Sequence, residues 1–383
     1  MIYEVKMKTM KVMTKKRLPN FEILRVLAMY FIVIWHFIGH GMFQDEAPTY
    51  NFNIGGFIDY SIMQIIMIIT AMAVNLYVLI TGYFMIESKP RWNKIPHIYF
   101  QVLVYSILIM GYEIVIENIH LDLDYLVHNI FIVRYDAYWF VTKYIALVFL
   151  APFINVGINN INKKNYRLLL IIMLFMDVNL FKFFYGVNYS GGQSLFHFIF
   201  LYIIAGYIRI WRPFDKMNST KIGLVLLFSI IAVFTMETSM ELLKGLYRHE
   251  KLNFHLTLGL IGNNEFTVFT SVLFFLWISK LRFNLENSLV NVCMKIAPMT
   301  FAVYLISDNN SVRPVLWKWI MSISTLDSRI LYVEIFVYSF AIFIACIIMD
   351  YFVKKFISYI HIDNLLDLIT IKIKQKLNVY LEK

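Results

Sequence analysis

Two ionisable residues in the first long apolar segment are of types that do chemistry, and their spacing places them together. Arg25 and His36 are eleven residues apart. At about 100° per residue they fall within roughly 20° of each other around a helix, about 16 Å apart along its axis. Arginine binds anions through a planar fork of donors, and histidine is a general base near neutral pH. The pair therefore predicts an anion site and a base on one helix face.

Each of these two residues also has a structural interpretation. Arg25 could extend to lipid headgroups, or it could pair with Glu22 three residues earlier. His36 could be bonded to a neighbouring carbonyl group. An ionisable residue inside a membrane span is energetically costly. Because Arg25 and His36 lie on one helix face, they favour a polar path that leads from the inner interface into the outer leaflet.

A cluster of cations follows the second apolar segment. Lys89, Arg91 and Lys94 lie within six residues, with Trp92 among them. The cluster could be an ordinary topology signal. Alternatively, it could bind phosphate, since arginine offers a fork of donors and lysine a mobile point charge. A phosphate site at the inner face and a base deeper in the bundle predict a long, thin, phosphorylated cofactor.

The fourth apolar segment begins with aromatic residues and then carries a lysine. Tyr138 and Trp139 are typical of an interfacial aromatic belt. Lys143 lies about one turn further in, where a buried ammonium group needs an anionic partner. Asp177 and Glu113, near the outer ends of neighbouring segments, are the predicted candidates.

The composition predicts the elements that must position these residues. Of the 383 residues, 60% are hydrophobic and 16% are charged, whereas soluble domains carry roughly 25% charged residues. The chain is therefore predicted to be an all-α integral membrane protein with about ten transmembrane helices. The predicted spans are residues 21–43, 61–86, 98–117, 138–157, 166–184, 195–211, 221–239, 266–281, 296–307 and 330–353.

The distribution of the positive charge predicts the orientation of these spans. If the N-terminus is cytoplasmic, 25 Lys and Arg residues lie on the inner side and 8 on the outer side, as the positive-inside rule expects. Both termini are therefore predicted to be cytoplasmic. The net charge of +10 is then a topology signal with attraction to anionic membrane lipids, and nucleic-acid binding is not expected.

Three regions follow from this topology. Residues 1–20 form a basic cytoplasmic N-terminal segment, residues 21–353 the transmembrane domain, and residues 354–383 a cytoplasmic tail whose apolar spacing could form an interfacial helix. Cys293 and Cys346 are interpreted as packing residues. Zinc-ligand motifs were not recognised, so no metal is expected.

Five short patterns occur in order along the chain. Their residues are Arg25 and His36; Arg91 and Lys94; Tyr138, Trp139 and Phe140; Leu201, Tyr202, Gly206 and Tyr207; and Thr300, Phe301, Tyr304, Leu305, Ile306, Asp308, Asn309 and Arg313. On a ten-span chain this set resembles the acyltransferase 3 family of integral membrane O-acyltransferases, and especially its bacterial glycan O-acetyltransferases. Three features depart from the family pattern. Lys94 replaces a second arginine, and Ser307 stands where many relatives have histidine. Some branches of the family place a glutamate one turn after the tryptophan, where this chain has Lys143 and Tyr144.

The resemblance implies an enzyme of the bacterial plasma membrane. It would transfer an acetyl group from cytoplasmic acetyl-CoA, the acyl donor, to a hydroxyl of a cell-surface or lipid-linked glycan. His36 would be the catalytic residue, either as a base or as a covalent acyl carrier. A non-enzymatic transporter or flippase for a lipid-linked saccharide is the alternative. Arg25, Lys89, Arg91 and Lys94 would bind the cofactor, and a polar path of substrate or structural residues would include Glu22, Tyr138, Trp139, Lys143 and Tyr304.

Overall fold

The fold is a bundle of helices with one short β-ribbon. The computed structural model describes residues 17–43, 52–54, 56–88, 92–116, 122–177, 192–248, 254–256, 265–325, 330–359, 361, 368, 370–372 and 375. Fourteen α-helices are found in this described part of the chain. They are α1 Pro19–His36, α2 Phe57–Thr70, α3 Ala73–Met85, α4 Ile95–Ile116, α5 Leu123–Ile130, α6 Trp139–Asn159, α7 Lys163–Asp177, α8 Leu195–Trp211, α9 Ser219–Arg248, α10 Glu265–Lys280, α11 Ser288–Ile296, α12 Thr300–Ser307, α13 Val312–Ile323 and α14 Leu331–Tyr359.

Among the residues that the structure describes, seven helical segments are long and apolar enough to cross a membrane. They are Pro19–Met42, Phe57–Met85, Ile95–Ile116, Trp139–Asn159, Ser219–Tyr247, Ser288–Ser307 and Leu331–Tyr359. Each overlaps a predicted span, which confirms a helical, multi-pass chain. The other three predicted spans correspond to α7, α8 and α10, which contain 15, 17 and 16 residues in the described part of the chain.

The ninth span is longer than the predicted residues 296–307. The structure starts it at Ser288, where the side chain of Asn287 caps α11 by accepting from the amide of Leu289 at 2.9 Å. Pro298 lies in a 3₁₀ turn, Ala297–Met299, between α11 and α12. Because proline lacks the amide hydrogen that an α-helix needs, the helix tightens at this point and then continues.

The first helix lies at the centre of the bundle. It contacts α2, α3, α10, α11, α12 and α14, and its side chains Leu24, Ala28 and Val33 are fully buried. Since neighbouring helices surround it, its ionisable residues face protein rather than lipid on several sides. This placement allows the costly polar groups of the first span to find partners.

A β-ribbon joins two distant connections. Strand β1, Phe52–Ile54, pairs antiparallel with β2, Phe254–Leu256, and Asn53 lies opposite His255. The all-α prediction therefore describes the bundle but missed this ribbon, because three-residue strands carry too little periodicity to be recognised. Except for residues 361, 368, 370–372 and 375, the predicted tail helix after Tyr359 lies outside the described residues, as do residues 1–16.

A buried polar chain links four helices on one side of the bundle. His197 on α8 is fully buried, and its Nδ1 lies 2.7 Å from Asp177 Oδ2 on α7. Its Nε2 lies 3.1 Å from Asn75 Oδ1 on α3, and Asn75 Nδ2 donates to Ser271 Oγ on α10 at 3.2 Å. Because these buried groups satisfy one another, the chain holds α3, α7, α8 and α10 in one arrangement.

Candidate functional site

Two histidines lie next to each other where the first helix changes its winding. Helix α1 ends at His36, and the chain continues as a π-helical turn, Phe37–Met42, which carries His40. Residues four apart share a helix face, and the centroids of the two imidazole rings are 4.8 Å apart. Single π-helical turns are rare and frequently lie at functional sites.

The turn between α12 and α13 brings a carboxylate to these rings. Asp308 follows the last residue of α12 and is 6% exposed. Its Oδ1 lies 3.9 Å from His36 Nε2 and 3.6 Å from His40 Nε2. Arg313, in the first turn of α13, approaches the same oxygen through Nη1 at 3.4 Å. Two imidazoles and a guanidinium therefore surround one buried carboxylate.

The side chain of Asn309 fixes the path of this turn. Its Oδ1 accepts from the amide of Ser311 at 2.9 Å, and its Nδ2 donates to Tyr138 Oη at 2.7 Å. Tyr138 in turn donates to the carbonyl of Leu305 at 2.9 Å. The start of α6 is thereby tied to the end of α12, and Asp308 between them is held in place.

The cationic surroundings decide the ionisation of Asp308, which lies just beyond the last spanning residue. Burial alone would raise its pKa. His36, His40 and Arg313 outweigh burial and hold the pKa of the Asp308 carboxyl below its usual value. The site therefore contains a stable negative charge beside two groups that can take up a proton.

These residues line a cavity of about 420 Å³. Its polar wall includes His36, His40, Asp308, Arg313 and Gln193. The remaining walls are largely aromatic, and they include Trp35, Phe43, Tyr77, Trp139, Phe140, Phe301 and Tyr304. A polar cluster on one wall of an aromatic cavity is typical of a site that binds and orients an organic substrate.

The predicted polar path is only partly assembled. Trp139 and Tyr304 line the cavity, as expected of path residues. Tyr138 lies behind Tyr304, with ring centroids 5.8 Å apart, and supports it. Glu22 and Lys143 are not among the residues that line the cavity, so their membership of one path with His36 stays a prediction.

Lys143 has a different partner from those predicted. Its Nζ lies 2.5 Å from Asp136 Oδ2, at the turn just before α6. Asp177 pairs with His197 instead, and Glu113 accepts from the hydroxyl of Tyr125. The prediction failed because Asp136 is close to Lys143 in sequence and is more exposed than Asp177 or Glu113. The ion pair therefore forms at the start of α6 without burying the ammonium group.

Near the N-terminus of α1, Arg25 forms the ion pair that the sequence offered as an alternative. Its Nη1 lies 2.7 Å from Glu22 Oε1, and Arg17 contacts the other oxygen of the same carboxylate. Lys94 lies exposed at the start of α4, whereas Lys89 and Arg91 lie outside the described residues. The structure therefore leaves the phosphate site a prediction.

Tyr77 lies between the N-terminal part of α1 and the cavity. Its ring lines the cavity, while its hydroxyl donates to the carbonyl of Arg25 at 3.0 Å and lies 3.2 Å from Thr300 Oγ1. Arg25 itself is not among the cavity-lining residues. The predicted continuous channel between Arg25 and His36 is therefore interrupted at Tyr77.

Sequence reasoning missed the roles of His40, Asp308 and Arg313. The last two were present in the fifth pattern, but nothing in a single sequence places the start of α13 beside the end of α1. The signal for His40 was available: it lies four residues after His36, which places both imidazoles on one helix face.

Comparison with known proteins adds one match. The family model described as an acyltransferase domain, that of acyltransferase 3, matches residues 18–352, which is most of the 383-residue chain. Neither a curated protein nor a solved structure matched the chain. The matched region contains His36, His40, Asp308, Arg313 and the spanning helices that place them. The chain belongs to the acyltransferase 3 family and is a multi-pass membrane acyltransferase.

Proposed function

We propose that this protein transfers an acetyl group from cytoplasmic acetyl-CoA to a hydroxyl of a cell-surface or lipid-linked glycan, in the bacterial plasma membrane. The observation that carries the proposal is the cavity in which His36 and the ionised Asp308 lie side by side, 3.9 Å apart. A base stabilised by a carboxylate is what transfer to a weakly acidic hydroxyl requires.

The proposed chemistry uses His36 as the general base. Its Nδ1 is buried, so Nε2, the nitrogen nearest Asp308, takes the proton of the acceptor hydroxyl. The hydroxyl oxygen then attacks the thioester carbonyl carbon, and the C–S bond of acetyl-CoA breaks. The thiolate of CoA leaves and recovers the proton from His36.

Asp308 would act through His36 in this scheme. When His36 becomes an imidazolium, the carboxylate beside it offsets the new charge in surroundings that exclude most water. Arg313 and His40 contact the same carboxylate oxygen, so they hold it in place on the cavity wall. Asp308 is therefore a positioning and charge-stabilising residue rather than the base.

The donor would approach from the cytoplasmic face. In this proposal the chain has ten spans with both termini inside, and the phosphates of CoA bind near Arg25, Lys89, Arg91 and Lys94. The thioester must then pass Tyr77, which separates Arg25 from the cavity. A tyrosine held by two hydrogen-bonding groups can shift more easily than a packed backbone, so Tyr77 would act as a gate.

The acceptor would occupy the aromatic cavity. Aromatic rings pack against the apolar faces of a sugar, while Gln193 and Arg313 on the cavity wall offer hydrogen-bond donors to its hydroxyls. A volume of about 420 Å³ suits one or two sugar rings rather than a long polymer. The polymer would therefore present its end or one residue at a time.

Transfer of label distinguishes this proposal from lipid-linked saccharide transport. Inside-out vesicles that contain the wild-type protein are supplied with acetyl-CoA labelled in the acetyl group, and alkali-labile label is counted in the glycan fraction. The proposal expects label in wild-type vesicles and background label in His36→Ala vesicles. Equal label in both, or unlabelled glycan with unchanged acetyl-CoA, would overturn it.

A further inference from the structure

The side chains of His36, His40 and Asp308 form a set of three metal ligands. One ligand atom from each residue lies within 4.8 Å of the other two. Two imidazoles and a carboxylate are the donors of many three-ligand zinc sites. We propose that this set binds a divalent transition metal ion of the Zn²⁺ type, and that the bound ion inhibits acyl transfer by occupying His36 Nε2.

The distances support an ion of this size. Zinc binds imidazole nitrogen and carboxylate oxygen at about 2.0–2.2 Å, so tetrahedral ligand atoms lie about 3.3 Å apart. In the structure Asp308 Oδ1 is 3.6 Å from His40 Nε2 and 3.9 Å from His36 Nε2. The ligand atoms of His36 and His40 lie within 4.8 Å of each other. Binding an ion therefore requires the carboxylate to approach the imidazoles by a few tenths of an ångström and the two imidazoles to approach each other by up to about 1.5 Å.

The kind of ligand selects the class of metal. Imidazole nitrogen is a poor ligand for Mg²⁺ and Ca²⁺, which prefer oxygen, and a good one for Zn²⁺, Cu²⁺ and Ni²⁺. The side chains of His36, His40 and Asp308 are only 13%, 19% and 6% exposed, so an ion bound there would exchange most of its water for protein ligands.

Residues outside the set of three ligands hold the ligand side chains in place. Arg313 approaches Asp308 Oδ1 at 3.4 Å, and such an outer partner orients a ligating carboxylate. The π-helical turn that carries His40 packs against α13, where the ring of Trp317 lies 6.0 Å from that of Phe37. The residues that would hold the ion therefore lie on packed elements rather than on a loose loop.

The three ligands leave one position of a tetrahedral ion open to the cavity. The expected effect on activity rests on the proposed function, in which His36 Nε2 accepts the proton of the acceptor hydroxyl. An ion bound to His36 Nε2 occupies the lone pair that this proton transfer needs. Binding of the ion and proton transfer by His36 are then mutually exclusive. Metal-free protein should be the active form, and zinc should inhibit it reversibly.

Metal binding can be measured without activity. The full-length protein, purified in detergent without a histidine tag and treated with EDTA, is titrated with Zn²⁺ against a chromophoric chelator. We expect one saturable site per chain that His40→Ala and Asp308→Asn each weaken at least about tenfold, since each removes one of three ligands. His128→Ala is the control, because His128 faces Asp124 at 3.5 Å on α5, away from the cavity.

The outcomes separate the metal site from the proposed function. Absence of a saturable site, or equal zinc affinity in wild type and His40→Ala, would overturn the site while leaving acyl transfer untouched. Release of CoA by the EDTA-treated wild type, lost on adding Zn²⁺ and restored by EDTA, supports both. Release of CoA only after Zn²⁺ is added would support the site but overturn the role of His36 as a base and the inhibition proposed here.

Discussion

His36 Nε2 lies 3.9 Å from Asp308 Oδ1, although one residue ends the first helix and the other follows the twelfth. The buried carboxylate is held between two imidazoles and a guanidinium, on the wall of an aromatic cavity. An imidazole in this position can take up a proton and have the resulting charge offset at once. The predictions below follow from this relationship and from the elements that maintain it.

Neutralising Asp308 should slow the chemical step. Asp308→Asn keeps the shape of the side chain but removes the charge that would stabilise the His36 imidazolium. We expect kcat to fall about 10- to 100-fold, equivalent to about 1.4–2.7 kcal/mol, while KM for acetyl-CoA changes little. Initial rates of CoA release measure both constants. Asp124→Asn, on the exposed face of α5, should behave as the wild type, and a matching fall in that variant would contradict the assignment.

Removing the cation cluster should weaken donor binding. Replacing Arg91 and Lys94 together with alanine takes away two charges proposed to contact CoA phosphates. KM for acetyl-CoA should rise about tenfold or more, because charge-assisted bonds to phosphate contribute roughly 1.5–3 kcal/mol each. Saturation kinetics in vesicles measure this change. Lys164→Ala is the matched control, since Lys164 is an exposed cation on α7, and an unchanged KM in the double variant would count against the phosphate site.

Removing the ring of Tyr77 should allow hydrolysis of acetyl-CoA without transfer to an acceptor. Tyr77→Ala removes the ring between Arg25 and the cavity, so water could reach the thioester without an acceptor. Hydrolysis of acetyl-CoA in the absence of glycan should then rise several-fold over wild type, which thiol release reports directly. Tyr77→Phe keeps the ring and loses the hydroxyl's contacts with the Arg25 carbonyl and Thr300 Oγ1, each a change of about 1 kcal/mol. Equal hydrolysis by wild type and Tyr77→Ala would argue that Tyr77 is not a barrier.

The His197 chain should contribute to stability rather than to catalysis. Replacing His197 with leucine removes the imidazole that contacts both Asp177 and Asn75, and loss of a hydrogen-bond partner for a buried group costs about 1–3 kcal/mol. The midpoint of thermal unfolding in detergent should therefore fall clearly. Replacing both His197 and Asp177 with leucine should recover part of the loss, because the buried carboxylate that faced the imidazole is removed as well. A double variant no more stable than His197→Leu would show that the pair is not the cause.

The sequence predicted the helical bundle well because membrane spans need long apolar runs, and those runs are local. His36 could be proposed as a site residue for the same reason, since a histidine inside such a run is conspicuous. The ion pair of Lys143 was predicted wrongly, because local exposure near Asp136 outweighed the burial that its position in the span suggested. Asp308 and Arg313 could not be placed, since their contact with His36 depends on how α12 and α13 pack against α1.

The most direct test of the account is CoA release by purified protein in a single turnover, with and without the imidazole of His36. Wild type and His128→Ala should release CoA when acceptor is added, whereas His36→Ala should release none above background. All three should elute as folded protein from size exclusion and share the same thermal midpoint within error. Release of CoA by a folded His36→Ala variant at the wild-type rate would contradict the central claim.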